Sequence, residues 1–262
     1  TALATTLVST AAYAGEMSVS GSASLNYSGL NTNSEVNPWT MGDSVTFSGG
    51  GDLDNGMTVG VKYELDGGNF DDYSLTLGLP SDMGSVTFSG ASVNAGGVDK
   101  VKDIIPTAYT PVYENANTVD NGLATTSGRS TASMWGYNYS AGGLMVSIGY
   151  NALNSTAGQD AESSIGLSFE AMDGLTIAAG TMDDGTVAES DTYGIKYVAG
   201  AITAGYQVTK VDYDAAGTAD QSAKHYAISY AVNDDVSVSY GQQIVDIDGA
   251  ANDEENSGFN AS

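Results

Sequence analysis

Apolar side chains occupy every second position through most of this chain, and this alternation constrains its fold more than any other feature. In the cleanest stretch, residues 17–28, apolar or small residues alternate with serines and one asparagine. A period of two over twelve residues indicates a strand with one apolar and one polar face. The pattern returns along the chain and predicts thirteen complete strands, with a fourteenth beginning at Ser257.

The predicted strands are joined alternately by short turns and by longer, acidic loops. Asn55-Gly56 marks one short turn, because this pair of residues is a strong hairpin signal. Tight turns at one rim and long loops at the other are typical of a barrel in an outer membrane. A soluble β-sandwich also alternates, but nothing in it requires the long loops to share one end. The predicted long loops span residues 30–41, 152–160, 183–190, 212–222 and 246–256.

One long segment, residues 92–130, interrupts the alternation after the fifth predicted strand. It contains Pro106 and Pro111 together with a mixed set of charges. A loop this long inside a compact β protein is usually functional, or it shows that the strands are wrongly assigned. We interpret it as a functional segment that folds into a pore. Its charged residues include Asp99, Lys100, Lys102, Asp103, Glu114 and Asp120.

Composition excludes several classes of partner and site. Lys and Arg total 7 against 32 Asp and Glu, a net charge of -25, so nucleic acid is not expected as a partner because phosphate contacts need basic side chains. The chain has no cysteine, which excludes disulfides and thiolate metal sites.

The ends of the chain carry their own signals. Residues 1–14 have the pattern of the back half of a secretory signal ending in Ala12-Tyr13-Ala14, with an Ala-rich helix start as the alternative. Beyond them no window approaches the roughly 18 apolar residues that a membrane helix needs. Strands can still cross a membrane if they close into a barrel, because closure pairs every backbone group.

The residue types on the two faces bear on the choice between a barrel and a sandwich. One face carries Val, Ile, Leu, Phe and Tyr, and the other carries Ser, Thr, Gly, Gln, Lys and Glu. A sandwich with an apolar core gives the same alternation. Tyrosines near strand ends on the apolar face favour the barrel, because an interfacial aromatic girdle lies there, although tyrosine also favours strands in general. These tyrosines are Tyr27, Tyr63, Tyr73, Tyr150, Tyr193, Tyr226 and Tyr240.

Two hairpins carry a resemblance to a known family. Residues 47–57 (FSGGGDLDNGM) resemble the second hairpin of the trimeric general porins of Gram-negative outer membranes, especially the alphaproteobacterial ones. Residues 78–88 (GLPSDMGSVTF) are similar to the hairpin that feeds the family's third loop, which folds inward and narrows the channel. The resemblance covers nearly the whole chain after the signal.

The resemblance implies an all-β protein, a transmembrane antiparallel β-barrel of sixteen strands in the outer membrane of a Gram-negative bacterium. It implies a homotrimer in outer-membrane lipid that lets small hydrophilic solutes and ions diffuse passively, without enzyme activity. Residues 1–14 would be a partial signal peptide and residues 15–262 the barrel, with the constriction loop at about 92–130. Because the family ends on an aromatic residue and this chain ends at Ser262, we expect a truncation of about three strands.

The chain departs from the family at the wall opposite the third loop. Porins of this type place Arg at the start of the second strand and near the end of the fifth, where this chain has Ser44 and Ala91. The second loop, residues 66–71, is also short, which puts in doubt the latch between subunits of the family.

The predicted pore constriction combines acidic loop residues with two wall lysines on the polar faces of complete strands. Salt screens charges over about 8 Å at physiological ionic strength, so charges at a constriction influence ions more than distant charges do. Because the wall arginines are missing and acidic groups are in excess, we expect a preference for cations. The predicted constriction residues are Asp99, Asp103, Glu114, Lys62 and Lys196.

The single histidine, His225, follows Lys224 at a predicted loop-strand junction. Zinc motifs such as H-E-x-x-H need two histidines, and a lone exposed histidine is more often solvated than ligating. No nucleophile motif accompanies it, so a catalytic role has little support.

The acidic loops offer the oxygen ligands that Ca²⁺ prefers, but without the spacing of an EF-hand, and a solvated external loop is the alternative interpretation. No other cofactor is expected. The alternative functions are a secreted β-sandwich or adhesin-like surface protein and, third, an outer-membrane barrel enzyme. The acidic residues in question are Asp246, Asp248, Asp253, Glu254 and Glu255.

Overall fold

The computed structural model describes residues 17–27, 39–66, 69–90, 95–107, 134–152, 161–185 and 188–261. These residues form fourteen strands in one antiparallel sheet, and neighbours in the sheet follow sequence order. The predicted signal segment, residues 1–14, lies outside the described residues. The strands are β1 (Met17–Tyr27), β2 (Trp39–Asp52), β3 (Thr58–Asp66), β4 (Asn69–Gly78), β5 (Ser85–Ser89), β6 (Met134–Ala141), β7 (Leu144–Asn151), β8 (Glu162–Met172), β9 (Leu175–Asp183), β10 (Ala188–Ala199), β11 (Ile202–Tyr213), β12 (Gln221–Ala231), β13 (Ser237–Ile247) and β14 (Glu254–Ala261).

All fourteen predicted strands are confirmed, and β1 and β14 are the edges of the described sheet. The predicted turn between β2 and β3 is also confirmed. Gly56 has a φ of 79°, a left-handed conformation that glycine adopts without strain, and the Asn55 side-chain oxygen accepts a hydrogen bond from Met57 N at 3.1 Å. The second loop is short as predicted, because β3 ends at Asp66 and β4 begins at Asn69.

The strands near the carboxyl end are longer than predicted. β10 begins at Ala188, and β12 begins at Gln221, so both start inside regions predicted to be loops. The connections therefore cover only residues 184–187, 214–220 and 248–253. Pairing continues there although the face that is apolar elsewhere has become polar, as where Asp191 pairs with Lys210, while the other face carries buried Val211. Alternation of apolar and polar residues cannot detect such a strand end.

The two faces of the sheet have opposite exposures. Large apolar side chains on one face are exposed, such as Ile177 at 48% and Ile228 at 49%, whereas polar side chains on the other face are buried, such as Gln207 at 1% and Thr209 at 0%. We call these the outer and inner faces. A β-sandwich buries its apolar face, so this arrangement contradicts the sandwich alternative. It is the arrangement expected of a sheet that meets lipid on its outer face.

The predicted tyrosines with described side chains lie on the outer face. Tyr63 and Tyr73 are 46% and 40% exposed and stack with ring centroids 6.1 Å apart. Tyr206 and Tyr226 stack at 5.5 Å. No helix in the described ranges is long and apolar enough to span a membrane.

Candidate functional site

The described part of the predicted constriction loop, residues 95–107, lies across the inner face of β6 to β11. We call these residues the crossing segment. It begins against Gly136 on β6, forms a short 3₁₀ helix at Gly97–Lys100, and reaches Gly205 on β11 with Ile105 and Pro106. The sequence interpretation of an infolded segment therefore holds for this part of the loop.

A glycine lies beneath the crossing segment on each of the six strands that the segment meets. A Cβ atom at Gly194 would lie 2.6 Å from Ile104 Cδ1, and one at Gly205 would lie 2.8 Å from Pro106 Cδ. Separations under 3.0 Å essentially do not occur for real Cβ atoms, so a side chain here would displace the segment. We call these six residues the glycine track: Gly136, Gly149, Gly166, Gly180, Gly194 and Gly205.

The first half of the crossing segment is held by hydroxyl and amide side chains of the inner face. Asn138 Nδ2 donates to Ala95 O at 2.8 Å, and Gly97 N donates to Ser147 Oγ at 2.7 Å. The Ser147 hydroxyl in turn donates to Asn138 Oδ1 at 2.6 Å. Buried backbone groups that leave the sheet pattern need such partners, and here the polar face of the sheet supplies them.

The second half is held by one side chain, Gln207 on β11. Its Oε1 accepts from Ile104 N at 3.2 Å, and its Nε2 donates to Lys102 O. A single amide thus satisfies one donor and one acceptor of the segment's backbone. Thr192 and Thr209 surround the same amide nitrogen at 3.2 and 3.4 Å.

Apolar side chains fill the space between the crossing segment and the sheet. One buried cluster joins the segment to β9. It contains Val98, Val101 and Ile104 of the segment and Ala178 and Met182 of β9. Burying a valine or isoleucine side chain contributes roughly 1.5–3 kcal/mol. Hydrogen bonds and apolar packing therefore act together to fix the segment on the wall.

Within the crossing segment, the two predicted acidic residues gather around Lys102. Its Nζ lies 3.3 Å from Asp99 Oδ1 and 4.0 Å from Asp103 Oδ2. The Asp99 side chain is 3% exposed, whereas that of Asp103 is 41% exposed. Partial burial lowers the pKa of the neighbouring Lys100 ammonium from its usual value. The four charges of this segment balance formally.

The two predicted wall lysines occupy different surroundings on the inner face. Lys62 on β3 pairs with Glu64 of the same strand at 2.7 Å. Lys196 on β10 is paired in register with Gly205, which contacts the end of the crossing segment. Lys196 therefore lies one strand away from the end of the crossing segment, while Lys62 is bound to a carboxylate of its own strand. Glu114 and Ala91 lie outside the described residues.

His225 differs from its sequence interpretation. It lies inside β12, on the inner face, and is 0% exposed, so the expectation of a solvated residue at a loop-strand junction is wrong. The reason is the extension of β12 to Gln221 described above. Gln243 Nε2 lies 3.2 Å from His225 Nε2.

The described residues contain no group of three or more His, Cys, Asp or Glu side chains that could hold a metal ion. Asp212, Asp246 and Asp248 line a cleft of about 220 Å³ at the long-loop rim together with Lys210. The ammonium of Lys210 competes there with any cation.

A sheet with an exposed apolar outer face and a polar inner face crossed by an infolded segment defines a membrane channel of the β-barrel class. The family model described as Gram-negative porin matches residues 1–262, and the chain belongs to this family. A comparison with curated proteins gave no match.

Solved structures with the same fold include several porins. A porin refined at 1.8 Å resolution is 16% identical over 94% of this chain and 89% of its own, with a TM-score of 0.65. OmpF of Salmonella typhi in complex with daunomycin is 13% identical over 92% and 83%, with a TM-score of 0.66. An anion-selective porin from Comamonas acidovorans is 15% identical over 94% and 84%, with a TM-score of 0.65.

The family and the fold are those of a channel. The protein is an outer-membrane porin, a passive diffusion channel, as the resemblance of its two hairpins implies. Sequence reasoning missed the glycine track. It also missed the two hydrogen bonds from the Gln207 side chain to Ile104 N and Lys102 O, which we call the Gln207 clamp. A glycine on the polar face of six consecutive strands was the available signal for the first.

Proposed function

We propose that this porin prefers cations. The observation that supports the proposal is the charge of the inner face, where the described strands place two lysines, Lys62 and Lys196, among a larger number of carboxylates. The crossing segment, being formally balanced, adds no net positive charge. The inner-face carboxylates are Asp52, Glu64, Asp66, Asp72, Glu162, Glu170 and Glu254.

The fold alone does not decide the sign of this preference, because the anion-selective porin from Comamonas acidovorans shares it. Selectivity must come from side chains close to the ion path, since salt screens charges beyond about 8 Å. We propose that Asp99 and Asp103, with Glu114, act at the constriction and that Lys62 and Lys196 moderate them from the wall. Lys102 reduces the effect of both aspartates.

The reversal potential in a planar bilayer under a KCl gradient tests the preference at pH 7.5. We expect the sign that indicates K⁺ permeating faster than Cl⁻. Glu162→Gln combined with Glu254→Gln should lower the cation-to-anion permeability ratio, because both residues lie on the inner face. A matched change on the outer face, Glu189→Gln, should leave the ratio nearly constant. A wild-type potential of the anion-selective sign would overturn the proposal.

We also propose that the protein assembles as a homotrimer in outer-membrane lipid and passes small hydrophilic solutes. The support is family membership and the fold shared with the trimer form of OmpT of Vibrio cholerae, at 16% identity over 93% and 81% of the two chains and a TM-score of 0.65. Mass measurement in detergent tests this, and a monomer at all concentrations would contradict it. Swelling of liposomes in sugars of increasing size tests solute passage. Binding of Ca²⁺ by the acidic loops stays a prediction.

A further inference from the structure

A groove lies on the outer face of β8 to β10, and we call it the outer groove. Its volume is about 370 Å³, within the range of ligand pockets in proteins. The register explains why the groove forms. Ala179 on β9 lies between Leu167 and Tyr193, and Thr181, the next outer-face residue of β9, is also small. Small side chains between larger ones leave a depression in the face that meets lipid.

The walls of the outer groove are apolar. Leu167 and Tyr193 are 42% and 45% exposed on the outer face. Toward the short turns the groove ends, because Phe169, Ile177 and Ile195 lie opposite one another and are all large. An empty depression in lipid loses dispersion contacts along its walls. A hydrocarbon chain is therefore the natural filling of this groove.

Two side chains of opposite charge line the other end of the groove, which is nearest the long-loop rim. Asp191 on β10 and Lys210 on β11 are directly opposed in the register. None of the ion pairs in the described part of the chain includes Lys210. Basic side chains at a membrane interface bind lipid phosphates through charge-assisted hydrogen bonds. The ammonium of Lys210 is placed to do so at the mouth of the groove.

One step further toward the long-loop rim, three exposed carboxylates lie opposite one another. The register pairs Asp183 with Glu189 and Glu189 with Asp212, and we call these three residues the carboxylate row. Like charges directly opposed in a sheet are destabilising, so a cation beside them is favourable. Lys210 supplies one positive charge, because it lines both the groove and the rim cleft that contains Asp212.

Charge also bears on which molecule occupies the groove. The chain has 7 Lys and Arg against 32 Asp and Glu, so a second copy would bring mostly further carboxylates to the carboxylate row. A lipid with a purely anionic head would meet the same repulsion. A head that carries both a phosphate and an ammonium complements Lys210 and the carboxylate row together.

We propose that the outer groove binds one molecule of an aminophospholipid, a lipid whose head carries a phosphate and a primary ammonium. One acyl chain lies along Leu167, Ala179 and Tyr193, the phosphate binds Lys210, and the ammonium faces the carboxylate row. The order of chain, phosphate and ammonium in the lipid matches the order of apolar, basic and acidic side chains toward the rim. This site lies outside the pore and is separate from the channel function.

The test is native mass spectrometry of the full chain, released from detergent after incubation with vesicles of one lipid. Palmitoyl-oleoyl phosphatidylethanolamine is the first probe. Palmitoyl-oleoyl phosphatidylglycerol, which has the phosphate but no ammonium, is the second. We expect one phosphatidylethanolamine retained per chain, at about five-fold higher occupancy than phosphatidylglycerol, as for one exposed charge pair.

Two variants separate the parts of the site, and circular dichroism checks that each is folded. Ala179→Leu fills the groove and should lower retention of phosphatidylethanolamine about ten-fold. Ala204→Leu, the same change on the outer face of β11 outside the groove, should leave it unchanged. Lys210→Gln should lower retention of both lipids about five-fold, because both carry the phosphate. Lys224→Gln on the outer face of β12 does not line the groove and serves as its control.

Equal retention by the wild type and Ala179→Leu would overturn the proposal, and so would equal retention of the two lipids by the wild type. If the wild type holds no lipid and Ala179→Leu instead reduces the mass of an oligomer, the groove is an interface between copies and the proposal is wrong. Should Ala179→Leu fail to fold, undiminished lipid retention by Lys210→Gln would overturn it.

Discussion

The inner face of the sheet has two regions built from the same alternating pattern. On β1 to β4, which we call the open wall, no described side chain is buried. On β6 to β11, which we call the covered wall, the glycine track and Gln207 lie buried or half-buried beneath the crossing segment. Gly60 on the open wall has nothing within 4 Å of an added Cβ, whereas every glycine of the track does. The alternation of apolar and polar residues thus determines which face is inward. The volume of the inner-face side chains determines whether the crossing segment can lie on that face.

A bulky side chain in the glycine track should give the largest difference between the walls. Gly136→Val adds a Cβ atom that would clash with Ala95 O, and overpacking of this kind costs about 1–3 kcal/mol. We expect a lower thermal midpoint in detergent and faster protease cleavage within the crossing segment. Gly60→Val on the open wall should show neither effect, since valine favours strands and meets no neighbour there. Equal losses in the two variants would contradict the distinction.

Loss of the Gln207 clamp should have the next largest effect. Gln207→Leu leaves Lys102 O and Ile104 N without this partner, at a cost of about 1–3 kcal/mol for the buried Ile104 group, while water can reach the half-buried Lys102. Channel current should become noisier because the second half of the segment loses its hydrogen bonds to the wall. Thr203→Val, on the same face of β11 but away from the clamp, serves as the control. If Gln207→Leu and Thr203→Val show the same current noise, the proposed role of Gln207 in holding the segment is wrong.

The smallest effect concerns the two lysines that form ion pairs, Lys102 and Lys62. Lys102→Gln removes the cation that Asp99 and Asp103 share in the crossing segment, so the cation-to-anion permeability ratio should rise about two-fold. Lys62→Gln on the open wall removes the same charge, but its partner Glu64 lies on the same strand and the lysine is 41% exposed. We expect a smaller rise there because exposed pairs are screened. A larger rise for Lys62→Gln would place the constriction on the open wall.

Most of the fold could be predicted from the sequence, because the period of two is a local signal that each strand repeats. The ends of β10 to β13 could not, since pairing there joins polar residues on the face that is apolar elsewhere, as with Glu189 and Asp212. The position of His225 was wrong for the same reason. These errors share one physical cause, which is that backbone pairing does not require an apolar face.

The candidate site was only partly predictable. Pro106 and the charges of residues 92–130 marked the segment as exceptional. The three-residue spacing between Asp99 on the short 3₁₀ helix and Lys102 just after it allows their ion pair. The role of Gln207 depends on a register across several strands, which no local pattern contains.

The residues joined by the Gln207 clamp are far apart along the chain, and this separation affects the order in which the channel assembles. Ile104 precedes its partner Gln207 by 103 residues, and five further strands lie between the crossing segment and β11. Contacts between such distant residues form late because a long loop must close first. The wall must therefore be built before its narrowing can be completed, so an early folding intermediate should conduct through a wider lumen than the finished protein does.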